Sequence, residues 1–96
     1  MIGSFGNRLA HDLFDDRSSG AVRRFPPELR RTARRKLLYL HDAAALRDLR
    51  APPGNRLEAL RRRWKGFHSI RINDQWRVVF QWTAGNASAV QIVDYH

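Results

Sequence analysis

The last three residues of the 96-residue chain, Asp94, Tyr95 and His96, set three proton-transfer groups side by side. Such groups could cut RNA without a metal. A base takes the proton of a ribose 2′-hydroxyl, and an acid protonates the departing 5′-oxygen. On a continuing strand Asp94 and His96 share one face and Tyr95 takes the other. Taken alone, the same run also fits a frayed polar end. A fixed cation would complete the site. The stretch Trp76, Arg77, Val78, Val79, Phe80, Gln81, Trp82 reads as a strand. Trp76, Val78, Phe80 and Trp82 then lie on a helix-packed face, and Arg77, Val79 and Gln81 on the free face. There Arg77 is either an ordinary solvated side chain or a cation aimed at a phosphate in its transition state.

Residues 56–66 are the densest basic stretch, with Arg56, Arg61, Arg62, Arg63 and Lys65 around Trp64. Cations interleaved with an aromatic suit single-stranded RNA, with phosphates held by charge and a base stacked on the ring. A solvated loop with Trp64 in the core is the alternative. Arg30, Arg31, Arg34 and Arg35 form a second basic stripe, either a charged outer helix face or a contact with a large RNA. His11, His41 and His68 lack metal-ligand spacing and a neighbouring carboxylate cluster, so no metal or other cofactor is expected. No glycine-rich phosphate cradle is present.

The charge balance agrees with a polyanionic partner. Eighteen Lys and Arg face nine Asp and Glu, a net charge of +9. Sixteen of the cations are arginine, the residue whose planar fork grips phosphate. There is no cysteine, which excludes disulfides and thiolate metal sites. No apolar run approaches a membrane span. The first five residues lack a basic region followed by a long apolar stretch, so no secretory leader and a cytoplasmic location are expected.

The elements that must position these groups fall into a helical front and a strand-rich back. Residues 2–5 suggest a short strand. Residues 7–16 suggest a helix with Leu9 and Leu13 one turn apart, and 17–20 a break. Pro26, Pro27 and Glu28 mark the start of a helix running to Ala44, with Leu29, Ala33, Leu37, Leu40 and Ala44 as its buried stripe. After a short turn at 46–49, strands are predicted at 56–60, 67–72, 76–82 and 87–94. Asn73 and Asp74 make a tight hairpin loop, and 83–86 the last turn. The order predicts one α+β domain over residues 1–96, a small antiparallel sheet with two N-terminal helices packed on one face.

Three stretches of the chain resemble a known family: Leu57 to Arg61, the run "IRINDQWRVVF" from Ile70 to Phe80 with Ser69 before it, and the terminal Ile92 to His96. They are similar to the HigB branch of the RelE/ParE-type toxins of bacterial type II toxin–antitoxin modules, and the opening Ile2 to Phe5 extends the likeness over essentially the whole chain. The resemblance implies a RelE-like fold and a ribosome-dependent, metal-independent endoribonuclease that cuts mRNA at the decoding site. It also implies a cognate antitoxin, a helix-turn-helix HigA-like protein, through which alone the toxin meets operator DNA. By the same resemblance Arg77 corresponds to the family's strand arginine and Asp94, Tyr95 and His96 to its C-terminal catalytic run. Arg61 falls where a basic residue is usual. Glu58 stands where some relatives carry a histidine, which shifts the burden to Asp94 and His96 and leaves Glu58, with Arg71, as second-tier site residues. Arg61, Arg62 and Arg63 replace a frequent Lys-Gly-Asp. In the leading mechanism Asp94 or His96 is the base, Arg77 and Arg61 hold the phosphate, and Tyr95 stacks on a base or positions the backbone. The competing readings are a non-catalytic RNA- or ribosome-binding inhibitor of translation, and an inactive toxin acting mainly as a co-repressor with its antitoxin.

Overall fold

Asn7 opens the first helix, α1 (Arg8–Phe14), by accepting the Ala10 amide on its side-chain oxygen at 3.1 Å. The computed structural model describes residues 1–95; the expected roles of His96 fall outside the described residues. Residues 17–20 are not simply a break. Ser19 caps a short second helix, α2 (Gly20–Arg24), by the same device. Pro27–Leu29 makes one 3-10 turn and leads into α3 (Arg30–Asp42). Ala33, Leu37 and Leu40 are buried on α3 as the spacing requires, but Ala44 is exposed. The helix ends at Asp42, and the extended backbone of Ala43 buries that residue instead.

The strands are β1 (Glu58–Ala59), β2 (His68–Arg71), β3 (Trp76–Thr83) and β4 (Asn86–Asp94), antiparallel in the order β1-β2-β3-β4. The loop between β2 and β3 is longer than two residues, because the Asn73 side chain accepts the amides of Gln75 (3.0 Å) and Trp76 (2.8 Å) and rounds the corner itself. The β3–β4 turn is the two-residue one. Ala84 and Gly85 both have positive φ, the geometry that matches strand twist. Residues 2–5 are not a strand of their own. Ile2 and Phe5 make isolated parallel bridges to Ala87 and Val90, which covers the outer edge of β4.

Val78, Phe80, Ile70, Val90 and Ile92 from the sheet meet Leu13, Phe25, Ala33, Leu37 and Leu40 from the helices in one core. Complete burial of a side chain such as Phe80 or Leu37 stabilises the fold by roughly 1.5–3 kcal/mol. Ala87 and Val90 both face this core although they are three residues apart. A β-bulge at Ala89, with φ +50°, inserts the extra residue and switches the alternation. The opposite face of the sheet is not open throughout. Val79 is buried rather than projecting beside Arg77, and Leu60, two residues past Glu58, is buried outside the main core.

Candidate functional site

Cross-strand register builds a row of polar side chains on the face away from the helices. Glu58 on β1 pairs with Ser69 on β2, and Arg71 on β2 pairs with Arg77 on β3. Two arginines directly opposite repel each other. Each is answered by a carboxylate. Arg77 Nη1 donates to Glu58 Oε1 at 2.7 Å and to Ser69 Oγ at 3.1 Å. Arg71 Nη2 donates to Asp74 Oδ1 at 2.7 Å. The Arg71 hydrogen bond, and then its charge, hold the Asp74 carboxyl below the ordinary aspartate range, with a smaller contribution from Arg56.

Arg77 is the sunken member of the row, with its side chain 16% exposed against 48% for Glu58. Its guanidinium carbon lies 5.4 Å from the centre of the Tyr95 ring. A half-buried cation against a ring and fixed by two hydrogen bonds has a defined orientation. Tyr95 is itself anchored, its amide donating to the Gln75 carbonyl at 2.7 Å. Beside this row opens a cleft of about 430 Å³, lined by Arg61, Arg62, Arg63, Trp64, Val93, Asp94 and Tyr95. That size lies within the range of roughly 300–1,000 Å³ usual for ligand sites.

The wall of arginines comes from the loop between β1 and β2. Leu60 donates its amide to Phe67 at 2.9 Å and closes the loop base. Arg62–Trp64 forms one 3-10 turn with Arg62 at φ +58°, and Gly66 at φ +92° lets the chain return. Trp64 packs edge-on against Phe67 at 5.2 Å and carries the Arg63 guanidinium 5.8 Å above its ring. It is half-buried and lines the cleft, so it stands in the cleft wall rather than in the core.

The expected site residues therefore divide. Arg77 and Tyr95 meet, and Arg61, Arg62, Arg63, Trp64 and Asp94 line one cleft with Tyr95. Asp94 sits opposite Trp76, on the strand face other than that of Arg77, and its Oδ2 accepts from Gln75 Nε2 at 2.8 Å. Arg56 and Lys65 are exposed and do not line the cleft. Glu58, read as a second-tier residue, is the group that touches Arg77 most closely. Ser69 and Gln75 escaped the sequence reading. Only the alternation that sets Ser69 two residues before Arg71 could have pointed to the first. Among the described residues no group of three or more His, Asp or Glu is placed to hold a metal ion.

A four-stranded antiparallel sheet, covered by helices on one face and carrying an arginine-walled cleft on the other, defines a RelE-like toxin fold. A solved structure of a YafQ mutant from E. coli shares it with a TM-score of 0.58, 15% identity, and coverage of 98% of this chain and 93% of that one. Residues 4–96 match the family model described as the RelE-like toxin HigB of type II toxin–antitoxin systems. The protein named Toxin HigB-1 of Vibrio cholerae is 48% identical over 87 residues, 91% of this chain and 90% of its own. An uncharacterized protein of Haemophilus influenzae is 34% identical over 59 residues, 62% of this chain and 58% of its own. The chain belongs to the HigB-like family, the toxins of type II toxin–antitoxin modules, and a toxin of that type has an antitoxin as its partner. No helix among the described residues is long and apolar enough to cross a membrane.

Proposed function

We propose that residues 1–96 act as one toxin domain in the cytoplasm, a ribosome-dependent endoribonuclease that cuts mRNA at the decoding site and so stops translation. The observation that carries this reading is the fixed, half-buried Arg77, held by Glu58 and Ser69 under Tyr95 at the edge of an arginine-walled cleft. Arg77 receives the scissile phosphate and offsets the charge that builds on it. Arg61, Arg62 and Arg63 draw in the flanking backbone, and Tyr95 and Trp64 offer ring surface to a base. The 2′-oxygen attacks phosphorus and the bond to the 5′-oxygen breaks, leaving a 2′,3′-cyclic phosphate and a 5′-hydroxyl. Glu58 takes the 2′-hydroxyl proton, since it is the carboxylate already in contact with the phosphate-binding arginine. Asp94 and His96 are assigned to the leaving group, with His96 as its proton donor. Side chains alone complete these steps, without a metal ion. The cleft is shallow, so alignment of the RNA falls to the ribosome, a form of catalysis that can contribute several kcal/mol, roughly 7–11 at most. The antitoxin is a helix-turn-helix protein that carries the complex to operator DNA.

The test is cleavage of a defined mRNA with purified components, with and without ribosomes, read by primer extension. Wild-type protein gives discrete cuts within codons only when ribosomes are present, and Arg77→Ala gives none while keeping its circular dichroism spectrum. Arrest without cuts by the wild type would replace the enzyme with a binding inhibitor.

A further inference from the structure

Asn7 caps α1, but the cap does not explain its amide nitrogen. An N-cap needs one side-chain oxygen, and serine or aspartate supplies it as well as asparagine does. Asn7 does more. Its Oδ1 accepts from the amides of Ala10 (3.1 Å) and Ile92 (3.4 Å), and its Nδ2 donates to the Ile92 carbonyl at 2.9 Å. One side chain answers both backbone groups of a β4 residue 85 positions away, as a neighbouring strand would. The bonds before it form a series along the same edge. Ala87 donates to the Met1 carbonyl at 3.0 Å and accepts from Gly3 at 2.7 Å. Val90 donates to the Ser4 carbonyl at 3.1 Å and accepts from Gly6 at 2.7 Å. The main chain then turns into α1, and the Asn7 side chain makes the next pair at Ile92. On the inner edge Val93 is in register with Arg77, and the Tyr95 amide reaches the Gln75 carbonyl. β4 is thus held from both edges just before Asp94 and Tyr95.

We propose that Asn7 is a positioning residue for RNA cleavage, fixing the end of β4 so that Tyr95 stays over Arg77 and Asp94 keeps its place in the cleft. Asn7 does not line the cleft and acts through Ile92. Its role in the reaction rests on the assignment of Asp94, Tyr95 and His96 to the chemistry. The last residues of a chain fray unless they are tied down. Asn7 ties this end to α1, whose Ala10 and Leu13 are buried in the core. Misplacement of a reacting group by about 1 Å can cost on the order of 10²-fold in rate. Loss of the pair at Ile92 is therefore felt in the chemical step. Substrate binding is spared, because Arg61, Arg62 and Arg63 come from the separate loop between β1 and β2.

The test compares three variants with wild type. Asn7→Ser keeps an oxygen to cap α1 and loses the amide that pairs with Ile92. Asn7→Asp keeps the cap and sets a carboxylate against the Ile92 carbonyl. Ser19→Ala removes the cap of α2 and leaves Ile92 alone, a control for lost stability. Cleavage of ribosome-bound mRNA gives kcat and KM, and NMR gives hydrogen exchange at the Tyr95 amide. Both Asn7 variants are expected to lose about tenfold or more in kcat with KM within about twofold of wild type, and to exchange the Tyr95 amide about tenfold faster or more. Ser19→Ala, with a lower melting temperature, keeps the wild-type kcat and Tyr95 protection. Wild-type kcat in the Asn7 variants overturns the proposal. So does an equal fall in kcat in Ser19→Ala, which leaves Asn7 a contributor to stability alone. Wild-type protein that cuts nothing, with Tyr95 protected in wild type and exposed in Asn7→Ser, overturns the enzymatic reading and leaves Asn7 only the holding of β4.

Discussion

Arg77 and Glu58 are bound to each other in the free protein, and the proposed mechanism gives each a second task. In the proposed mechanism Glu58 keeps the guanidinium oriented and neutralised until a phosphate displaces it. In that mechanism the displaced carboxylate turns to the 2′-hydroxyl of the ribose that carries the phosphate. The magnitudes separate this role from mere stability. Glu58 is about half exposed, so its ion pair contributes at most about 1 kcal/mol to folding. A general base is worth roughly 10²–10⁴ in rate. Glu58→Gln keeps a hydrogen-bond acceptor for Arg77 and removes the base. The expected result is a fall of about 10²-fold or more in kcat on ribosome-bound mRNA, with KM unchanged or lower because a competitor of the phosphate has been weakened. A variant with wild-type kcat would make Glu58 only a counter-ion and return the base to the C-terminal run.

At the scale of the elements, the arrangement around Arg77 was partly legible. The alternation of Trp76, Val78, Phe80 and Trp82 is strong enough to assign both faces of β3, and it puts Arg77 on the correct one. The place of Glu58 could not be read, because β1 is only two residues long and its register depends on closure of the 61–66 loop rather than on any pattern of its own. Likewise, nothing in the alternation of β4 announces the bulge at Ala89, which is imposed by pairing with β3 and with the N-terminal segment. The segment before β1 is held by a contact that composition hides. Lys36 on α3 is buried and donates to the side-chain oxygen of Asn55, itself fully buried. Asn55 in turn donates to the carbonyls of Leu49 and Ala51, both at 3.2 Å. Desolvation, with Arg35 and Arg71 nearby, holds the Lys36 pKa below that of an ordinary lysine. Asn55→Ala takes the acceptor from a buried ammonium group and the donor from two carbonyls. It is expected to destabilise the fold by about 3 kcal/mol, read as a drop in urea midpoint with little change in m-value. A midpoint within error of wild type would mean that Lys36 finds another acceptor.

At the scale of the whole molecule, a net charge of +9 is repulsive, and Asp12, Asp15, Glu58 and Asp74 are each set against an arginine. Asp12 on α1 is the buried one, 2% exposed, with Arg8 Nε 3.4 Å from its Oδ2. A hydrogen bond from Ser19, then the charges of Arg8 and Arg17, outweigh the opposing effect of burial and set its pKa below 3.8. Asp74, paired with Arg71, is shifted the same way. Both groups have folded pKa values below their unfolded ones. Their contribution to stability is therefore complete above the unfolded value and is lost as pH falls through the folded value, below 3.8. Protonation also raises the net positive charge, so the two effects add. The protein is expected to hold its stability down to about pH 5 and to unfold cooperatively below the ordinary aspartate range, with added salt moving the transition to lower pH by screening the arginines. Asp12→Asn retains a partner for Ser19 and removes the titrating charge. Its stability should be lower than wild type at neutral pH and should approach wild type in acid, so that the two curves converge below the folded pKa. Urea midpoints measured from about pH 7 to pH 2 check this directly. Parallel curves for the two proteins would show that Asp12 stabilises the turn between α1 and α2 by its shape and hydrogen bond alone.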